Sequence, residues 1–375
     1  MTGREKTLAA LTIDGSSEIA AGICYDSIYI RDCWERLTPL PWWHMIINDP
    51  ELLKTAYRDV YRNLDYDWIM TAVDVDDRQA GRYIITERAG KAYRKCRITG
   101  ELTELIRPPA GGTDMSGQLL GNADAPDDLE AAQAYFGALL EKANAQRARK
   151  RAVPAFLQAE FPDRCPMGYA QSPFQRCFPL WGFNRTMMMA YDNPDLLSYA
   201  SRRFLELECI LLRNEAARGA EAIWVEECYC EMVNWEHYRT LCFPYVRALC
   251  DEIRALGMKS VYYFTGNPWN KWDMLMDSKA DMLGFEESKK GISLNIMDLA
   301  AATKGRCALL GNLDAISLMP HCTTYELAEA LKEQVRAAKL MKGRFIFGLG
   351  SPLTPDTSLT RVMEYVDLAR KLGRL

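Results

Sequence analysis

Carboxylates and amides recur in this chain at one kind of place, directly behind short apolar runs. Glu226-Glu227 close the run that begins AIWV, Thr265-Gly266-Asn267 follow KSVYYF, and Glu286-Glu287 follow ADMLGF. Asn312 and Asp314 come after CALLG, and Gly350-Ser351 after RFIFGL. If those runs are parallel barrel strands, all five ends face one cavity, and the set could hold a small polar group or move a proton. A carboxylate donates a proton near neutrality only where burial or a like-charged neighbour raises its pKa. Glu226 and Glu227 are adjacent on a strand, so they point to opposite faces and need not interact.

The stretch Glu226-Glu227-Cys228-Tyr229-Cys230-Glu231 is rich in ligand types, with Cys242 downstream. Glu227, Cys230 and Cys242 are therefore candidate metal ligands. Against that, Cys228 and Cys230 have a single residue between them, where zinc knuckles use roughly two to four. Of the three histidines, His237 falls on a surface helix and His321 just before a helix cap. His44 lies in an aromatic segment, Trp42-Trp43-His44-Met45, and could act as an acid or a hydrogen-bond donor.

The elements that must position these groups read clearly from residue 222 onward. Apolar runs alternate with amphipathic helical stretches, the pattern of a parallel sheet whose strands are buried on both faces. The helix at 324–341 opens with a capping box, Thr323 and Glu326, and sets Leu327, Leu331, Val335 and Ala338 on one face. Upstream, residues 4–11 and 128–148 read as helices, and 194–219 as a long helix opened by Asp192-Asn193-Pro194. In 41–70 an extended start turns helical behind Asn48-Asp49-Pro50, with Asp49 as N-cap and Pro50 at the first helical position. Residues 81–107 alternate polar and apolar, with turns at Ala89-Gly90 and Thr99-Gly100, and predict a small antiparallel meander. Residues 108–128 predict a long loop. The expected fold is α/β: a (β/α)8 TIM barrel with an N-terminal extension and a small antiparallel β insertion. It forms a single domain over 1–375, with elaborations and the first barrel units in 1–165 and regular βα units in 166–375.

The 375 residues are 49% hydrophobic and carry a formal net charge of -4, which suits one large α/β domain. Acids and bases are interspersed with no basic stripe, so nucleic acid is not an expected partner. The opening MTGREKTLAAL lacks the apolar core of a signal peptide, and no apolar run approaches the roughly 18 to 20 residues that span a membrane. The expectation is a cytoplasmic protein with no membrane partner, whose twelve cysteines are reduced thiols.

The opening MTGREKTLAAL, the step Ser172-Pro173-Phe174, the stretch GNLDAISL at 311–318 and the ending FIFGLGSPLTPDTSLTRVMEYVDLAR resemble the uroporphyrinogen decarboxylase superfamily. The resemblance implies a (β/α)8 barrel and one of two chemistries, porphyrin decarboxylation or corrinoid-dependent methyl transfer. The decarboxylase branch grips its substrate with an arginine-rich N-terminal motif. The matching stretch here, Pro41 to Asp49, has none, and a substrate bearing many carboxylates needs several cations. The methyltransferase branch binds zinc at positions that fall on Tyr263, Thr265 and Ser351, none of them a good ligand for Zn2+ at neutral pH. Gly266 and Asn267 of that motif remain, so its backbone turn is expected to be intact. Zinc, and with it a thiol acceptor, is left open.

The resemblance thus implies a methyltransferase of the O-demethylase type. A methyl group would pass from a small donor, an aryl methyl ether or a methylamine, to the cobalt of a corrinoid (cobalamin) carried by a partner corrinoid-binding protein. Departure of a phenolate or amine needs a proton or electrophilic help, for which Glu227, Tyr263, His44 and Glu286 are the catalytic candidates. Trp43, Met45, Phe174, Thr265, Asn267, Asn312 and Ser351 are the candidate substrate-binding residues. Two alternatives stay open. One is a decarboxylase or lyase of a small aromatic acid, with Arg176 or Arg185 as its cation. The other is a non-catalytic barrel that binds a ligand or a corrinoid protein. The barrel's outer helices could also support a homodimer.

Overall fold

The structure, a computed structural model, describes residues 1–46, 49–73, 82–112, 119–146, 151–289 and 291–375. Eight short parallel strands build its main sheet: β1 (Ala20–Ala21), β2 (Trp68–Met70), and, beyond the β3–β5 insertion, β6 (Cys165–Gln171), β7 (Ala222–Glu227), β8 (Lys259–Phe264), β9 (Met282–Phe285), β10 (Ala308–Leu310) and β11 (Phe345–Phe347). The ladder runs β2-β6-β7-β8-β9-β10-β11-β1. It closes into a barrel because the Asp67 amide, just before β2, donates to the Ala21 carbonyl of β1 at 2.9 Å. Closure removes the unpaired sheet edges.

The insertion is a separate three-stranded antiparallel sheet, β3 (Tyr83–Arg88), β4 (Lys91–Cys96) and β5 (Leu102–Glu104). Ala89 and Gly90 make its first turn with positive φ, as the alternation of 81–107 predicts. Gly81 lies outside the described residues, as do Asn48, part of the 108–128 segment (113–118), and the last two residues of the 128–148 helix. The rest of that helix is Leu129–Asn144, capped by Asp128. Asp49 caps the helix Pro50–Leu64 by accepting from the Glu51 and Leu52 amides. The helix Thr324–Leu340 carries the expected capping box, and a second box joins Thr2 and Glu5 on Gly3–Ala10. Among the described residues no helix is long and apolar enough to cross a membrane.

Paired residues of neighbouring parallel strands point to the same face, so register identifies the barrel's interior. Tyr169 pairs with Trp224, and Glu226 with Tyr263. The Trp68, Trp224 and Tyr263 rings meet inside, Trp224 and Tyr263 stacked at 4.9 Å and Trp68 tilted against Trp224 at 6.4 Å. Such large rings fit because two strands yield space. A Cβ on Gly22 would sit 1.8 Å from the Trp68 ring, and one on Gly284 would sit 2.7 Å from the Tyr263 ring. At the opposite end, the N-terminal helix is pinned to the barrel floor. The buried Lys6 ammonium pairs with Asp67 at 2.9 Å, and the same carboxylate accepts from the Ala21 amide at 2.7 Å.

Candidate active site

The C-terminal ends of the strands open onto a mouth whose wall is mainly aromatic. Tyr25 follows β1 and takes a left-handed backbone, φ 50°, a conformation disfavoured for a bulky residue. That turn lays its ring edge-on to both Trp224 (5.8 Å) and Tyr263 (5.3 Å). Glu226, next to last in β7, lies on the inner face and is half-buried. Its carboxylate accepts from the Tyr169 hydroxyl and, at 3.3 Å, from the Cys228 thiol. Tyr25 Oη and Cys228 Sγ lie 3.8 Å apart. Burial pushes the Tyr25 and Tyr263 hydroxyls and the Cys228 thiol well above their ordinary pKa values, with nearby anionic groups adding to the effect. These three groups are therefore neutral hydrogen-bond donors at physiological pH.

Glu227 points the other way. It is fully buried behind the strand, where it accepts from the Ser172 hydroxyl, the Cys230 thiol at 2.8 Å and the Tyr262 hydroxyl at 2.9 Å. Tyr262 Oη continues to Tyr238 Oη at 2.9 Å. Burial raises the Glu227 pKa to about 7, although the three donors oppose it. The expectation that Glu227 reaches a substrate is corrected. The strand alternation sends it into the helix layer, where it ties β7 to β8 and to the loop after β6. Glu226 takes the inward place.

The rest of the predicted set divides in the same manner. Glu286 sits at the mouth and accepts from the Gly266 amide at 2.8 Å, beside the Asn267 amide, which bonds Glu231 at 2.8 Å. Ser351 Oγ lies 2.8 Å from both oxygens of Glu287 and accepts from Lys289 Nζ at 2.9 Å. Tyr263 Oη donates to the Gly350 carbonyl at 2.6 Å, and Thr265 Oγ1 to the Glu227 carbonyl at 3.5 Å. Asn312 clamps two backbone carbonyls, of Glu286 at 2.9 Å and Leu294 at 2.7 Å, and so fixes the loop after β9.

His44 occupies a 3-10 turn, Trp42–Met45, with Nδ1 2.9 Å from the Pro41 carbonyl and its ring stacked on Trp43. Trp43 and Met45 are half-buried in that turn. Phe174 is a correction. It is fully buried, edge-on to Phe178 at 5.5 Å, and belongs to the core. Tyr25 and Tyr169 were not legible as site residues. Tyr25 precedes any regular pattern, and Tyr169 lies within CPMGYAQ, whose Pro and Gly disguise a strand.

Do these residues fit a metal? Cys230 Sγ is 3.7 Å from Cys242 Sγ and bonded to Glu227, so the three candidate ligands do come together. Burial pushes both thiols up, and in this structure they act as hydrogen-bonding thiols. Their contacts form a hydrogen-bond chain in the helix layer. Tyr263, Thr265 and Ser351 already have internal partners, and among the described residues no three His, Cys, Asp or Glu side chains are placed to hold a metal ion. The residues present do not fit zinc at the mouth.

The cations of the decarboxylation alternative are also engaged. Arg176 pairs with the buried Glu208, and Arg185 with Asp127 at 2.6 Å.

Comparison with known proteins agrees with this architecture. The family model for uroporphyrinogen decarboxylase (URO-D) matches residues 152–372, more than half of the chain. A uroporphyrinogen decarboxylase of Solibacter usitatus is 26% identical over 189 residues, covering 50% of this chain and 52% of the relative. That of Aquifex aeolicus is 25% identical over 222 residues, covering 56% and 62%. The chain thus spans only about half to three fifths of the length of these curated relatives. A solved methyltransferase from Methanosarcina mazei superposes over 99% of both chains with a TM-score of 0.64 at 16% identity, a likeness of fold. With the matched region holding β6 to β11 and every strand end of the mouth except that of β1 and β2, the chain belongs to the uroporphyrinogen decarboxylase family.

Proposed function

We propose that this protein is a methyltransferase that moves a methyl group from a small methylated donor to the cobalt of a corrinoid carried by a partner protein. The observation that carries the reading is the character of the mouth. Half-buried Tyr25 and Tyr169 wall it, backed by the buried Trp224 and Tyr263, with Glu226 as its inner carboxylate. Such a wall favours a flat ring or a methylated ammonium over a polyanion. The corrinoid would supply a strongly nucleophilic reduced cobalt. This chain's own residues would hold the donor against Tyr25 and Tyr169 and keep water from it. In this reading Glu226, which accepts from Tyr169 and Cys228, would orient the departing oxygen or nitrogen of the donor.

A partner needs a surface as well as a site. Met188, Tyr191, Met232 and Trp235 are each more than half exposed on the segments that follow β6 and β7, and Tyr191 touches His237 across them at 4.4 Å. Exposed apolar residues grouped at a rim suit protein docking. The competing reading, decarboxylation of a small aromatic acid, needs a free cation for the carboxylate, and Arg176 and Arg185 are paired with Glu208 and Asp127.

The test is to mix the purified chain with a reduced corrinoid protein and a panel of methoxylated aromatics and methylamines, following the cobalt's visible spectrum. Methylation with at least one donor is expected. Absence of methylation with every donor, together with carbon dioxide release from an aromatic acid, would favour decarboxylation.

A further inference from the structure

The loop between β9 and the next helix brings a lysine into the mouth. Lys289 Nζ is 2.6 Å from Glu286 Oε1, 2.9 Å from Ser351 Oγ and 3.6 Å from Glu287 Oε1. The hydroxyl of Ser351 is used fully, accepting from the ammonium and donating to Glu287. This is a constructed arrangement. Lys289 and Ile292 exchange backbone hydrogen bonds of 3.2 and 2.9 Å, which closes the turn. Asn312 holds that turn from below through the Glu286 and Leu294 carbonyls. The Gly266 amide fixes the other oxygen of Glu286. Burial works against the Lys289 charge, yet the two carboxylates outweigh it and hold its pKa above the ordinary value.

We propose that Lys289 is the resident cation of this mouth: its ammonium fills the place, between the ends of β9 and β11, that a divalent ion bound by Glu286, Glu287 and Ser351 would need. The cleft beside it, lined by Glu231, Gly266, Glu286, Glu287 and Ile292, has room for ≈ 20 Å³, about one water. A hydrated ion cannot join the ammonium there and must replace it. A tethered ammonium offers a fixed positive charge and hydrogen-bond donors, but it does not generate a thiolate or hydroxide as a metal does. The cation of the site is thereby encoded in the chain.

The inference is tested by calorimetric titration of the full-length protein with Mn2+, which prefers oxygen ligands and so avoids the chain's many thiols. Lys289→Ala should bind one Mn2+ at least tenfold more tightly than the wild type, and adding Glu287→Gln should abolish that gain. Lys289→Arg, which keeps a cation, should behave as the wild type. Lys289→Met, which keeps the aliphatic stem, serves if the alanine variant does not fold. Equal Mn2+ affinity in the wild type and in these neutral variants, or no gain in either, overturns the proposal. The readout is metal affinity, so the result stands apart from whether the chain transfers methyl groups.

Discussion

Two adjacent glutamates divide the work of the site at the residue scale. Glu226→Gln removes the inner carboxylate and should lower turnover by at least about tenfold, with little change in thermal unfolding, measured by steady-state rates beside a melting curve. Glu227 should show itself in stability instead. Its folded pKa, about 7, lies above the ordinary value of 4.5, so the native state keeps a proton that the unfolded chain releases. Stability must then fall as pH rises from about 4.5 to 7 and level off above, by up to roughly 3 kcal/mol from this group. Glu227→Gln should flatten that slope in denaturant titrations at pH 5 and pH 7; an unchanged slope would remove Glu227 as its source. The alternation that separates the pair was legible in the sequence, but which of the two faces inward was not. That parity is set by which side of β7 meets the helix layer, and Ile223 and Val225 are as apolar as Ala222 and Trp224.

Strand length decides what could be read at the scale of elements. β7 to β11 announce themselves as apolar runs bounded by amphipathic helices. β1 has two residues and β2 three, too few for any period to register. β6 is interrupted by Pro166 and Gly168, the latter packed against the Ile223 side chain. Closure of the barrel rests on these weak elements, and the latch that joins them is ionic. Lys6 and Asp67 are both buried, with side chains only 7% and 4% exposed. Removing one partner of such a pair leaves an uncompensated charge and typically costs about 3–5 kcal/mol. Asp67→Ala also strips the Ala21 amide of its acceptor. Chemical denaturation should show a loss of that size, and a change under about 1 kcal/mol would mean the latch is not a closure element.

The whole molecule presents an aromatic mouth, a tethered cation at one side of it, and an apolar rim at another. If the rim receives the partner, Trp235→Glu or Met232→Glu should slow methyl transfer to a corrinoid protein by roughly tenfold or more through weaker docking, while the melting temperature stays within a few degrees. With Lys289 as the mouth's cation, turnover should also survive treatment with a strong chelator; loss of activity restored by zinc would place a metal where the ammonium sits. The barrel and its family were readable from the chain, because motif order and apolar periodicity report them directly. The aromatic wall was not, since it is assembled from Tyr169, Trp224 and Tyr263 on three separate strands and Tyr25 in the turn after β1. The most direct test of the central claim uses a donor panel carrying 13C at the methyl carbon, with a reduced corrinoid protein and this chain. The label is expected on cobalt with the wild type, and at least about tenfold slower labelling with Glu226→Gln. Label that stays on every donor, while an aromatic acid loses carbon dioxide, would contradict it.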